Sequence, residues 1–375
     1  MSSVPGNAVV NYGADPTGIA DSSASLQSLF ESNNLAYIPP GLYRVDNEVD
    51  LPIPKIVWCF GGDSIATGFD DGGGVNFGPG IASLRNPYEQ VAFYTTNTDP
   101  NFNMFTIRKA SVKWRGGCVD FQNLTGHNGS AFFYDLDANN GNATYKPWGM
   151  DTNAGRANGR EGMIRGVTVM GDTAGLRTTN PGTGSSAIKV RFPPAGDTST
   201  PNKNIFLTTL RWDVKGLGLD KVLDLGPREV FPIGHWANNS HFRVDAHYCR
   251  QAVWDECFFG VRWYINHWAG DVFNTEANAL ATPSIYSTSP NGIYYHPTFY
   301  DFRGLSGQTN QDATSGAWYN QKTFKLISGE FANQDGAGFV YGLNQDDYDR
   351  RISMVKQETM RIYSDVQLRE GAQVI

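Results

Sequence analysis

Val9-Val10-Asn11-Tyr12-Gly13-Ala14-Asp15-Pro16-Thr17-Gly18-Ile19-Ala20-Asp21 is the stretch on which the reading of the fold turns. A short apolar strand runs into a cluster of turn formers, Gly13, Asp15, Pro16 and Gly18. Asp21 then stands at an N-cap position, before a helix predicted over Ser22 to Glu31 with Leu26, Leu29 and Phe30 on one face. Next comes Ala36-Tyr37-Ile38-Pro39-Pro40-Gly41-Leu42-Tyr43-Arg44-Val45, a strand, a proline-glycine turn and a second strand. A stack of parallel rungs has an open end that exposes core and unpaired backbone, and one amphipathic helix laid over that end covers both. An ordinary α/β helix would demand further helices downstream, and the sequence offers none.

Downstream the texture is β. Met163 to Met170, Ala187 to Phe192, His241 to Ala246 and Thr323 to Ile327 alternate apolar with polar residues, the period of a half-buried strand. Val91-Ala92-Phe93-Tyr94 and Ala131-Phe132-Phe133-Tyr134 read as earlier strands, set among the long loops expected between Gly61 and Tyr145. No strict repeat is visible, which disfavours a propeller, whereas a parallel solenoid tolerates unequal rungs because insertions leave as loops. The expected fold is therefore all-β, a right-handed parallel β-helix with a short N-terminal capping helix. Its expected parts are 1–45 (strand and cap), 46–350 (β-helix with surface loops) and 351–375 (β closure or trimer contact).

Composition narrows the function classes. Charged residues are 18% of the 375, low against about 25% in an average chain, and the net charge is −7. Such a chain lacks the basic footprint of a nucleic-acid binder or of a protein held on anionic membranes. No run of apolar residues is long enough to span a bilayer, and Met1 to Asn11 lacks the features of a signal peptide. The sequons at Asn123, Asn128, Asn142 and Asn238 accordingly carry no expectation of glycosylation. Cys59, Cys118, Cys249 and Cys257 form no C-x-x-C pair and read as buried, reduced thiols. Asp135 to Gly141 opens like a calcium loop, but Lys146 stands where the bidentate Glu belongs. Phosphate-loop, zinc-protease and serine-hydrolase signatures are missing from the sequence. No cofactor or metal is expected.

The order Asn11-Tyr12-Gly13-Ala14-Asp15-Pro16-Thr17-Gly18, Asp21, helix, Ile38-Pro39-Pro40-Gly41-Leu42-Tyr43 resembles the opening of the pectate-lyase-like right-handed β-helices. That family includes bacteriophage tailspikes, phage depolymerases and several polysaccharide-degrading enzymes. The resemblance covers about the first 45 residues. It implies a homotrimer on a phage tail that binds a bacterial surface polysaccharide and often depolymerises it. It also implies a virion location, with synthesis in the host cytoplasm. Because the β-helix signature starts near residue 9, no separate particle-binding domain is expected before it. Attachment would then use other tail proteins or the C-terminal part, unless the sequence is a fragment.

Glycoside hydrolysis needs two carboxylates, about 5–5.5 Å apart for retention or about 6.5–9.5 Å for inversion. Rungs stacked about 4.8 Å apart place acids of neighbouring strands in that range. The densest region is Trp236 to Glu276. Asp255 and Glu276, 21 positions apart like one rung, are the first catalytic pair, with Asp245 and Asp271 in reserve. The bland alternative is that these acids bind local backbone in turns. Trp236, Trp254, Trp263, Tyr264 and Trp268 are candidates to stack on pyranose rings, or else to fill the core. Arg243, His247 and Arg262 would pair with an acidic glycan, or make surface ion pairs of under about 1 kcal/mol. The rival to a depolymerase is a non-catalytic receptor-binding or structural tail component on the same scaffold. A lyase is a third, weaker reading.

Overall fold

The computed structural model describes residues 6–51, 56–59, 91–107, 112–121, 124, 126–135, 159–160, 162–171, 184–191, 206–226, 236–247 and 249–268, with short strand segments between 285 and 373. Every strand pairing in it is parallel.

The N-terminal part comprises β1 (Gly6–Asn7), α1 (Ser23–Ser32), β2 (Leu35–Ile38), β3 (Gly41–Arg44), β4 (Val49–Leu51), β5 (Ile56–Cys59), β6 (Val91–Tyr94), β7 (Phe105–Ile107), β8 (Lys113–Arg115), β9 (Cys118–Asp120) and β10 (Ser130–Asp135). The chain then coils regularly. One coil is β11 (Gly159–Arg160), β12 (Met163–Met170) and β13 (Ser186–Arg191). The next is β14 (Phe206–Thr208), β15 (Arg211–Leu217) and β16 (Lys221–Leu225). A third is β17 (Trp236–Asn238), β18 (His241–His247) and β19 (Gln251–Asp255). A fourth opens with β20 (Phe258–Phe259), β21 (Arg262–Trp268) and β22 (Ile285–Ser287).

These strands stack into three parallel sheets, called here A, B and C. Sheet A runs β1-β2-β5-β8-β12-β15-β18-β21 and continues into later strands. Sheet B holds β4, β7, β10, β13, β16, β19 and β22, and sheet C holds β11, β14, β17 and β20. The chain visits C, A and B in turn, so each coil adds one strand to each sheet. Coil lengths differ: His241 pairs with Arg211 before it and with Arg262 after it.

One corner is constant. From sheet C to sheet A the chain turns in two residues, Thr209–Leu210, Asn239–Ser240 and Gly260–Val261. The first of each pair has positive φ, 62° for Thr209, 51° for Asn239 and 64° for Gly260. The second is fully buried. The left-handed residue reverses the chain sharply, and the buried one anchors the corner in the core. Asn and Gly tolerate that conformation; a β-branched Thr does so at a cost.

The core is a column of inward side chains. Trp212 stacks on Phe242 at 4.2 Å and 9°, and Phe242 meets Phe258 at 5.3 Å and Trp263 at 5.2 Å, edge to face. Earlier coils continue the column through Trp114, Phe105 and Phe132. Helix α1 starts one residue later than the sequence predicts. Asp21 caps from outside the helix: its Oδ1 accepts the N–H and the hydroxyl of Ser23, and it also holds Asp46 and Asn47. Leu26, Leu29 and Phe30 are buried as expected, and α1 packs against β4, the terminal strand of sheet B. The turn cluster also has a physical account. The Asp15 carboxylate accepts from the N–H groups of Thr17 and Ala20 and from the Thr17 hydroxyl, while Gly18 takes φ 77°. All four cysteines are buried. Among the described residues no helix is long and apolar enough to cross a membrane.

Candidate functional site

Alternation along sheet A sends every second side chain outward. On β15 the inward residues are Trp212 and Val214, on β18 Phe242, Val244 and Ala246, and on β21 Trp263, Ile265 and His267, all buried. The outward residues form rows in exact register across the rungs. One row reads Tyr37, Trp58, Arg115, Arg165, Asp213, Arg243, Tyr264. Its neighbour includes Lys113, Arg211, His241 and Arg262. A third holds Lys215, Asp245 and Asn266.

The face is open to solvent. Trp58 is 52% and Tyr264 42% exposed, and Arg115, Arg165, Arg211, Arg243 and Arg262 are also exposed. The ring of Tyr37 meets Trp58 edge to face at 6.3 Å. At the other end Tyr264 pairs directly with Arg243.

Asp245 on this face is held by three neighbours. Its Oδ1 accepts from His247 Nε2 at 2.8 Å and from Asn266 Nδ2 at 3.0 Å, and Lys215 Nζ lies 3.4 Å from Oδ2. Burial pushes this carboxyl up, but the His247 hydrogen bond and the charges of His247 and Lys215 outweigh burial and hold it below its ordinary value. With a side chain 32% exposed, Asp245 suits a base, a nucleophile or an acceptor for hydroxyls rather than a proton donor. Asp213 lies one strand away and two residues back on the same face. Strand geometry puts the two Cα atoms ~8 Å apart. His241 accepts from Arg262 Nη1 at 3.3 Å, which makes its Nε2 the unprotonated nitrogen. Burial, then Arg262 and Arg211, keep its pKa below the ordinary histidine value.

The structure thus brings together Arg243, Asp245, His247, Arg262 and Tyr264 from the sequence-predicted set. Others separate. Asp255 is 1% exposed and shares a register row with Leu225, a core residue. Its Oδ1 accepts the backbone N–H groups of Cys257 at 3.1 Å and Phe258 at 2.8 Å. It fastens the tight turn from sheet B to sheet C, and the expectation that it meets substrate is corrected. Trp263 is likewise corrected: at 1% exposure it fills the core against Phe242. Trp254 points outward, but from sheet B, with Lys221 Nζ 5.3 Å above its ring. Trp236 lies on β17 in sheet C and Trp268 pairs with His247 on sheet A, while the side chains of both lie outside the described residues. Glu276 and Asp271 also lie outside them. A rung of 21 residues does exist, from His241 to Arg262, but it aligns Asp245 with Asn266 rather than with another acid.

Sequence reasoning missed Trp58, Arg115, Arg165, Arg211 and Asp213. Arg115, Arg165, Arg211 and Asp213 sit at polar-phase positions of alternating runs, which was a usable signal, whereas Trp58 lies in the uniformly apolar Ile56-Val57-Trp58-Cys59. Nothing in the sequence gave the rung offsets that align the runs.

No family model and no curated protein matches this chain. Solved structures to which it is similar include Geobacillus virus E2 ORF18, at 10% identity over 89% of this chain and 52% of that one, with a TM-score of 0.28. Another is the phiAB6 tailspike in complex with three-repeated oligosaccharides of Acinetobacter baumannii surface polysaccharide, at 12% identity over 91% and 50%, with a TM-score of 0.31. A third is the Streptococcus pneumoniae surface protein and adhesin PfbA, at 8% identity over 88% and 98%, with a TM-score of 0.31. The chain spans about half the length of the two phage proteins.

Proposed function

We propose that this chain is a tailspike-type, right-handed parallel β-helix, homotrimeric and carried on a phage tail with other tail proteins, that binds a bacterial surface polysaccharide along the outward face of sheet A. One observation carries the reading: exposed Trp58, Tyr264 and a set of polar side chains lie in register on a solvent-open strip of parallel rungs. Flat rings stack on the apolar faces of sugars. Arginine forks, Asn266 and Asp245 supply donors and acceptors for hydroxyls and carboxylates. The N-terminal Asn11 to Tyr43 pattern supports the same class. Immobilised polysaccharides from a panel of bacteria would be tested for capture of the purified protein, with Tyr264→Ala as control. Capture by at least one, weakened in the variant, supports the reading; no capture across the panel, with circular dichroism intact, overturns it.

Depolymerisation is a second reading, favoured by the way Asp245 is held ionised by three neighbours. In this reading Asp245 is base or nucleophile, and the acid comes from Asp213, Glu276 or Asp271. New reducing ends that vanish in Asp245→Asn while capture persists would support it. Capture without any new reducing ends leaves a receptor-binding protein.

A further inference from the structure

We infer that the outward face of sheet A takes a polyanion, specifically an acidic polysaccharide carrying carboxylate or sulfate groups along its length. This rests on the reading of that face as the glycan site and narrows the ligand class.

The charge distribution carries it. The chain as a whole is −7. On the outward rows of β8, β12, β15, β18 and β21, however, seven cations face two carboxylates: Lys113, Arg115, Arg165, Arg211, Lys215, Arg243 and Arg262 against Asp213 and Asp245. Each of these five rungs contributes at least one cation, so positive charge recurs about every 4.8 Å along the stack. That spacing is shorter than the screening length of about 8 Å at physiological salt.

Arg115 and Arg165 are direct register partners, both exposed, so two guanidinium groups stand on neighbouring rungs of the strip. His241 lies in register between Arg211 and Arg262 and is held neutral beside them. On sheet A Lys215 lies 3.4 Å from Asp245, and ion pairs recur on sheet B. There Arg191 meets Asp224 at 2.6 Å, and Lys221 and Arg250 meet Asp220 at 3.2 Å and 2.8 Å. An excess of arginine kept on one exposed strip is an electrostatic complement to an anionic ligand. The planar guanidinium matches carboxylate and sulfate better than a lone ammonium does.

A glycan fits better than a nucleic acid. Rings stand at the two ends of the row, Tyr37 and Trp58 at one and Tyr264 at the other, and between them the row carries arginines and Asp213 rather than a ring for each successive base.

The test uses the full chain and calorimetric titration at low and physiological salt. The probes are polygalacturonate and chondroitin sulfate, with dextran as the neutral polymer and a thymidine oligonucleotide as the rival polyanion. Binding to one or both acidic glycans at least tenfold tighter than to dextran is expected. The affinity should fall with salt, and Arg165→Gln and Arg243→Gln should each weaken it several-fold and flatten the salt slope. These side chains are exposed, so unchanged circular dichroism is expected and confirms folding. As an independent readout, the titration of the His241 imidazole followed by NMR should move to higher pH on binding. Dextran bound as tightly as the acidic glycans overturns the polyanion assignment and leaves the glycan reading standing. The oligonucleotide bound more tightly than either acidic glycan overturns it in favour of a nucleic-acid site. Binding of none of the four polymers by folded protein overturns the polyanion assignment, and the bacterial panel then decides the glycan reading separately.

Discussion

Replacing Asp255 separates a structural carboxylate from a chemical one. Asp255 is 1% exposed and its Oδ1 accepts two backbone N–H groups, those of Cys257 and Phe258. In Asp255→Ala both donors stay buried without their acceptor, at about 1–3 kcal/mol each. The expected loss is about 2–5 kcal/mol, concentrated in the coil of β18 and β19. Asp255→Asn keeps an oxygen in place and loses the charge assistance of the two bonds, so about 1–2 kcal/mol is expected. Urea unfolding followed by tryptophan fluorescence reads both, since Trp212 and Trp263 line the same column. Glycan capture should be unchanged in Asp255→Asn at temperatures where it is folded. If the Ala variant is as stable as the parent, the capping account is wrong. If Asn leaves stability intact but removes a cleavage activity, Asp255 has a chemical role that its burial argues against.

Three further outcomes follow from the geometry. Phe242→Ala should cost about 3–5 kcal/mol in urea unfolding, because three rings surround it and cannot all move in; a loss under about 1 kcal/mol would refute the packed column. Thr209→Gly should raise stability by about 0.5–1 kcal/mol, the left-handed cost of a branched residue exceeding the entropy cost of glycine. Asn239→Gly at the matching corner should change it by less than about 0.5 kcal/mol, and a destabilised Thr209→Gly would contradict the strain argument. Asp15 has its pKa lowered to about 2 by the Ala20 N–H, then the Thr17 hydroxyl and N–H. A depressed carboxyl contributes above its unfolded pKa of about 3.9, so that contribution should disappear as pH falls from about 4 to about 2. Asp15→Asn should be less stable than the parent at pH 5 and close to it at pH 2, and a constant difference would refute the assignment.

The N-terminal segment was legible because its signals are local. Turn residues, an amphipathic helix and a proline-glycine break each depend on neighbours in sequence, and they appear in place within a residue or so. The outward phase of Arg243, Asp245 and His247 was legible for the same reason, since alternation alone sets it. Asp255 and Trp263 were misassigned for a different reason. Which phase faces inward depends on strand boundaries and on corners, and Asp255 sits where a strand ends and a turn needs an acceptor. The charged strip was hidden by unequal coils: Arg165, Asp213 and Arg243 are rung neighbours, separated by 48 and 30 positions in the sequence.

The fixed corner between sheets C and A acts as a phase lock. At the three described corners, whatever the length of the excursion before them, the chain passes through one left-handed residue and one buried residue before re-entering sheet A. Length variation falls at the other two corners: from B to C the connections Arg191 to Phe206, Leu225 to Trp236 and Asp255 to Phe258 differ, and from A to B so do Met170 to Ser186 and Leu217 to Lys221. A loop there can be lengthened, replaced or deleted without shifting Arg211, His241 or Arg262 out of line. Variation that tunes recognition is thereby decoupled from the spacing of charge along the strip, and one scaffold can change what it grips at the edges while keeping its electrostatic ruler.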